Sequence, residues 1–171
     1  MELKKYGVIL HRLTIEKIEL VRNWRNDTKI SKYMFFRDYI SEDMQLKWFN
    51  NINNEFNFYF IIEYEKKEIG LVNMKDVDYV KKCAEGGLFI YNDEYLNSDV
   101  SFRAYFCILD FVFEELNLGY IYGKIIKGNK NAIHFNKMSG ADISDSEESI
   151  FLKIEKDNYI KQRNKYIRFF T

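Results

Sequence analysis

Apolar residues are spaced along this chain in two rhythms that alternate. The run Y-G-V-I-L-H-R-L, Tyr6 to Leu13, carries Val8, Ile9 and Leu10, side chains suited to a pleated, buried surface, and it predicts a first strand. The spacing then lengthens. Ile18, Val21 and Trp24 recur at i, i+3 and i+6, which predicts one apolar stripe on a helix capped by Thr14, with Glu16 in its first turn and its end near Asn26. Arg22 and Arg25 flank that stripe. The pattern weakens through Ile30, Met34 and Phe36, a predicted loop. Ser41, followed by Glu42 and Asp43, then opens a second helix with Trp48, Phe49 and Ile52 on its inner face.

From Phe56 the period shortens. F-N-F-Y-F-I-I-E-Y and I-G-L-V-N-M-K-D-V, separated by K-K-E, predict a hairpin, and the charged stretch Asp76 to Lys82 leads to a further β-rich run, Cys83–Tyr91. These three strands form a predicted antiparallel meander. The helix that follows, from about Asp99 to Asn117, is apolar almost all round: Val100, Phe102, Ala104, Phe106, Ile108, Leu109, Phe111, Val112 and Phe113. Only Arg103, Asp110, Glu114 and Asn117 make a narrow polar face, so this helix is expected to lie against the sheet. A C-cap at Asn117–Gly119 leads to a strand, Tyr120–Ile126, which the helical crossover makes a parallel neighbour of the preceding one. Asn129–Met138 is a short helix ended by Gly140, and Ser144–Ser149 is a polar loop before the strand I-F-L-K-I-E. Asp157 is expected to cap a last helix with a solvated basic face of Lys161, Arg163, Lys165 and Arg168. No repeat, low-complexity tract or linker interrupts the chain, which predicts one domain over residues 1–171.

Charge and cysteine usage narrow the function classes. Lys+Arg and Asp+Glu are both 26, so the formal net charge is zero and the sequence pI about 6.7. A nucleic-acid-binding domain is normally basic, with pI above about 9, so a nucleic-acid partner is not expected. Cys83 and Cys107 each sit in an apolar pattern and read as reduced, buried thiols. With no C-x-x-C and with His11 and His134 far apart, no metal site is expected. No run of ~18 apolar residues occurs and no apolar stretch follows M-E-L-K-K-Y, so the expectation is a cytoplasmic protein that does not enter a membrane.

The element order resembles that of the Gcn5-related N-acetyltransferases (GNAT), an α/β (α+β) acyl-CoA N-acyltransferase fold with a mixed central sheet flanked by helices. Three stretches carry the resemblance. A-E-G-G-L-F-I, Ala84 to Ile90, is similar to the A-E-I-G-I-x-I strand of the branch with ribosomal-protein alanine and nucleotide-sugar acetyltransferases. N-K-N-A-I-H-F-N-K-M-S-G-A, Asn129 to Ala141, resembles the family's N-x-x-A/S-x-x-x-Y-x-K-x-G-F. V-R-N-W-R-N with Met34 and Ile40–Ser41 looks like the opening of enzymes that acetylate a nucleotide-linked amino sugar in flagellin modification.

The sequence also departs from the pattern. The family's R/Q-x-x-G-x-G/A loop closes glycine amides on a diphosphate; here the segment is Leu96-Asn97-Ser98-Asp99-Val100-Ser101, without glycine and with one carboxylate. Asp99 beside two phosphates is unfavourable unless its side chain turns away, for instance to act as an N-cap. Asn136 stands where many members carry the Tyr that protonates the departing thiolate, and Gly140-Ala141 replaces Gly-Phe.

The resemblance implies an N-acetyltransferase that uses acetyl-CoA as co-substrate and acts on the amine of a small molecule, an amino-sugar nucleotide or a protein N-terminus; it allows a homodimer. Glu85 is then the candidate base, or else a paired strand glutamate. Phe89, Ile90, Tyr91, Asn97, Ser98, Asp99, Val100, Ser101 and Phe102 would border the cofactor, with oxyanion donors among the Leu88–Ile90 amides. Asn129 would touch the pantetheine arm or simply cap its helix. Asn136, at the site of the catalytic phenol, cannot act as an acid, so the thiolate leaves unprotonated, through water, or with the help of another tyrosine. Trp24, Arg25 and Met34 would line the acceptor pocket, although Trp24 equally fits core packing. A second reading keeps the scaffold without the reaction, as a binding or structural module.

Overall fold

A computed structural model describes residues 1–96 and 98–170. Among the described residues, eight strands form one sheet in the order β1-β2-β3-β4-β5-β6-β8-β7: β1 Glu2–Lys5, β2 Val8–Arg12, β3 Phe58–Tyr64, β4 Lys67–Asp78, β5 Cys83–Ile90, β6 Tyr120–Ile126, β7 Asp142–Asp145 and β8 Ser149–Glu155. Every pair is antiparallel except β5 with β6. The predicted meander is β3-β4-β5, and the parallel neighbour reached through a helix is β6.

The single first strand predicted over Tyr6–Leu13 is instead the second arm of a hairpin. Tyr6 (φ 57°) and Gly7 (φ 78°) form its two-residue turn, both with positive φ as a primed hairpin turn demands. A tyrosine in that conformation gives no local signal. It is held from a distance: its hydroxyl donates to Asp110 Oδ2 at 2.5 Å and its carbonyl accepts from Arg103 Nη1 at 3.2 Å.

Helices α1 (Ile18–Asn26), α2 (Thr28–Ser31) and α3 (Glu42–Ile52) cover one face, and α4 (Val100–Asp110), α5 (Lys130–Met138) and α6 (Lys156–Tyr166) the other. The α1 stripe meets Phe49, Tyr59, Ile61 and Leu71 in one core, with Trp48 and Ile52 at its margin; α4 fills the larger core with Val100, Ala104, Phe106, Ile108 and Leu109. Ser41 caps α3 as expected, accepting from Met44 N at 3.2 Å. Thr14 makes no capping bond, and a 3-10 turn over Ile15–Lys17 precedes α1. The predicted loop at Ile30 is partly helical because Asp27 caps α2, accepting from Lys29 N at 2.9 Å.

The α4 helix continues into a π-helical turn, Phe111–Glu115, and Asn117 (φ 52°) then reverses the chain. Half of its polar face is withdrawn from solvent, while Glu114 and Asn117 stay exposed. Arg103 and Asp110 are buried, because the β1–β2 turn and α6 supply partners for them: Asp110 is bonded by Lys5 Nζ (2.5 Å), Tyr6, Tyr159 (2.7 Å) and Arg163. Arg163 therefore leaves the solvated face predicted for the last helix. That helix begins at Lys156, with Glu155 and not Asp157 in the capping position. The loop predicted over Ser144–Ser149 is confined to residues 146–148: Asp142–Asp145 pairs with β8 as edge strand β7, and Ile143 packs inward against the larger core. Among the described residues, no helix is long and apolar enough to cross a membrane.

Candidate active site

Strands β5 and β6 stay paired over three positions only, Cys83↔Tyr120, Ala84↔Ile121 and Glu85↔Tyr122. Beyond Glu85 they part: β5 runs on against β4 to Ile90, and β6 runs on against β8. Tyr91 N donates to Ile69 O at 2.7 Å, so the alternation of an antiparallel pair directs the peptide groups of Phe89 and Gly87 to β4. The amides of Leu88 and Ile90 then face the gap. Backbone donors fixed along such an opening can stabilise the charge that develops on a thioester carbonyl. The β4 strand keeps this edge in place through Gly70, where an added Cβ would stand 2.3 Å from Phe89 O.

At the end of β5 the chain turns into α4. Asp99 occupies the N-cap position without capping; its Oδ2 accepts from Arg103 Nε at 3.0 Å and pairs with Nη2 at 2.9 Å. Ser98 substitutes weakly, its Oγ accepting from Val100 N at 3.3 Å while donating to Tyr95 O at 2.8 Å. Among the described residues the N–H groups of Ser101 and Phe102 have no hydrogen-bond partner, and first-turn amides are the groups of a helix that can receive an anion. The Phe102 ring is engaged elsewhere, 4.5 Å from Phe135 and 5.8 Å from Tyr166. Asn97, expected at the same loop, lies outside the described residues.

Across the gap, Asn129 caps α5 by accepting from Ala132 N at 3.1 Å, and Asn136 donates its amide to Ala132 O at 2.9 Å. Asn136 is thus tied to its own helix. Tyr105 of α4 packs against α5, its ring 5.4 Å from that of Phe135, and is buried, with its pKa pushed well up by desolvation.

The α1/α3 face of β5 carries Glu85, Gly87 and Phe89. Glu85 pairs with Lys75 Nζ at 3.2 Å, the paired strand glutamate that the sequence allowed, and it stands where the strands part. Tyr122 lies beside it on β6, its pKa raised by burial and then by the Glu85 charge. Tyr59 of β3 faces the same group; burial, then Asp76 and Glu85, push its hydroxyl up to about 12. Arg25 approaches Tyr59 from α1. Its guanidinium makes no hydrogen bond or ion pair with any described residue, its Nε is buried, and desolvation lowers its pKa. Trp24 stacks on Tyr91 (5.4 Å, 21°) and meets Phe89 edge-on, within the smaller core. It also borders a cavity of about 470 Å³ with Leu20, Lys29, Glu68 and Tyr91. Met34 lies in the segment between α2 and α3, its carbonyl accepting from Arg37 Nε at 2.9 Å. Lys75, Tyr59 and Tyr122 were not singled out from the sequence. For Tyr122 a signal exists, since the parallel register puts it level with Glu85.

A family model described as the acetyltransferase (GNAT) domain matches residues 8–141. The chain belongs to the GNAT acetyltransferase family. The spermidine N(1)-acetyltransferase of Escherichia coli K12 is 25% identical over 139 residues, 81% of this chain and 74% of that protein. Among solved structures, the Vibrio cholerae spermidine N-acetyltransferase in complex with CoA and spermine superposes with TM-score 0.81 at 23% identity, covering 90% of this chain and 98% of that one. Apo FdhC, a nucleotide-linked sugar GNAT, superposes with TM-score 0.83 at 22% identity, covering 100% and 99%. As a GNAT enzyme the chain is an N-acetyltransferase. The gap between β5 and β6, the first-turn amides of α4 and the Asp99 carboxylate paired with Arg103 fit a ligand with a polar arm and a diphosphate.

Proposed function

We propose that this GNAT enzyme acetylates the amine of a small, anionic acceptor of the amino-sugar-nucleotide type, bound on the α1/α3 face of β5. Arg25 carries the proposal. A half-buried guanidinium that has lost water and gained no carboxylate is costly unless a ligand supplies the anion, and phosphate suits its planar donors. A polyamine would bring further positive charge to the same place. The likeness to the nucleotide-linked sugar GNAT over the full chain supports the same choice.

In this reading Ser101 and Phe102 of α4 receive the diphosphate of acetyl-CoA, Leu88 and Ile90 face its thioester, and Asn129 stands beside its arm. Glu85, directly or through water, takes the proton from the acceptor ammonium. The free amine forms the new N–C bond and gives up its second proton to water, the C–S bond breaks, and the thiolate, a good leaving group, departs to solvent water without help from Asn136. Trp24 walls the acceptor side. Two free, buried cysteines and dependence on acetyl-CoA support a cytoplasmic location.

The test is a thiol-release assay with acetyl-CoA and three acceptors: a nucleotide-linked amino sugar, spermidine and a panel of N-terminal peptides. Turnover of the amino sugar is expected. Turnover of spermidine or peptides with none of the amino sugar overturns the proposal.

A further inference from the structure

Asp99 is the residue of the α4 opening that opposes a diphosphate, and its carboxylate is restrained. Both of its contacts come from one side chain, Arg103 one turn on, through Nε at 3.0 Å and Nη2 at 2.9 Å. An exposed ion pair at i,i+4 is ordinarily loose and worth little. Arg103 is not exposed: it is 8% accessible and anchored from two further directions. Its Nη1 donates to Tyr6 O at 3.2 Å, and its guanidinium carbon stands 5.1 Å from the centroid of the Phe170 ring. Gly7 leaves the room for this, since a Cβ there would stand 3.3 Å from Nη1. The β1–β2 turn and the end of the chain thus fix the arginine, and the arginine fixes the aspartate along the flank of α4.

We infer that Arg103 is a positioning residue for the acyl donor: it draws the Asp99 carboxylate aside and neutralises it, so that the amides of Ser101 and Phe102 can take a diphosphate in a loop without glycine. This rests on the reading that the α4 opening receives the diphosphate. Without Arg103 the carboxylate is free to swing to those amides as an N-cap, where it competes with the phosphates for the donors and repels them. Arg103 touches neither the thioester nor the acceptor, so its loss falls on donor affinity.

The test is calorimetric titration of CoA into the wild type, Arg103→Met, Asp99→Asn and the double variant, with acetyl-pantetheine, which lacks the diphosphate, as a second donor in kinetic runs. Arg103→Met should weaken CoA binding roughly ten- to a hundredfold and raise the acetyl-CoA KM while sparing kcat and the acetyl-pantetheine KM. Asp99→Asn should tighten CoA binding far more in the Arg103→Met background than in the wild type. Equal gains in both backgrounds, or a double variant as weak as Arg103→Met, overturn the inference and leave Arg103 a structural residue. Should Arg103→Met fail to fold, Asp99→Asn alone still decides: a tenfold or greater gain in CoA affinity means that Asp99 already faces the diphosphate, against the inference, and a small gain supports it. A wild type that uses acetyl-pantetheine as well as acetyl-CoA instead refutes the underlying placement of the diphosphate, whatever Arg103 does.

Discussion

Glu85 and Tyr122 are the last pair of residues at which β5 and β6 are joined, and the sheet opens immediately beyond them. In the proposed mechanism the carboxylate at the apex of that opening deprotonates an amine arriving on the α1/α3 face. Glu85→Gln keeps the shape and removes the base. Turnover is expected to fall by about 10²–10⁴-fold, with acetyl-CoA affinity nearly unchanged, as read by steady-state kinetics alongside calorimetry. Unchanged turnover would remove Glu85 from the mechanism.

On the proposed reading, Arg25 separates anionic acceptors from cationic ones. Arg25→Gln should raise the KM of a nucleotide-linked amino sugar roughly ten- to a hundredfold, the loss expected when a charged hydrogen bond of about 1.5–3 kcal/mol is removed. The acetyl-CoA KM should stay as it is. If Arg25 serves only to pack against Tyr59, the variant will lower the melting temperature and leave the acceptor KM unmoved.

Gly70 is required by close approach. A Cβ there would stand 2.3 Å from Phe89 O, a backbone atom that cannot swing away. Gly70→Ala should destabilise the protein by about 1–3 kcal/mol in chemical denaturation and, by displacing the Leu88–Ile90 edge, reduce kcat more than either KM. A variant as stable and as active as the wild type would show that β4 does not hold that edge.

Asp110 links stability to acid pH. Burial alone would raise its pKa, but hydrogen bonds from Lys5, Tyr6, Tyr159 and Arg163 outweigh burial and hold the carboxyl below its ordinary value. A folded-state pKa below the unfolded value of about 3.9 contributes stability at neutral pH that is lost as pH falls through the folded value. Asp110→Ala should therefore cost about 3 kcal/mol near pH 7, at the low end for a broken buried pair because Lys5 and Arg163 keep Glu114. The gap between wild type and variant should narrow below about pH 4. A gap that does not change with pH would mean that the network is not ionic.

Local chemistry was legible where it acts locally. Alternating β-branched and aromatic residues marked β3, β4 and β5; Ser41 and Asn129 marked helix starts; the unbroken apolar run of 100–113 marked the central helix. What stayed hidden depends on partners far along the chain. Tyr6 adopts a left-handed turn because Asp110 and Arg103 hold it from about a hundred residues away, so β1 and its hairpin left no trace in the local pattern. For the same reason Arg103 and Asp110, on the polar stripe of α4, belong to a buried network, while Glu114 stays exposed. The acids of β7 resemble a loop until β8 is there to pair with them. At the site, Glu85 and the α4 opening followed from motif resemblance, whereas Lys75, Tyr59 and Tyr122 become neighbours only through the strand register. The conflict posed by Asp99 could not be settled from the sequence, since the answer lies in where Arg103 is anchored.

Acetyl-CoA binding tests the enzyme assignment most directly, by the unfolding temperature measured with and without the donor. At about a hundred times its Kd, acetyl-CoA should add about 2.7 kcal/mol, a rise of roughly 5–10 °C for a domain of this size. An unfolding temperature that does not move at millimolar acetyl-CoA would contradict the account and leave the scaffold without its reaction.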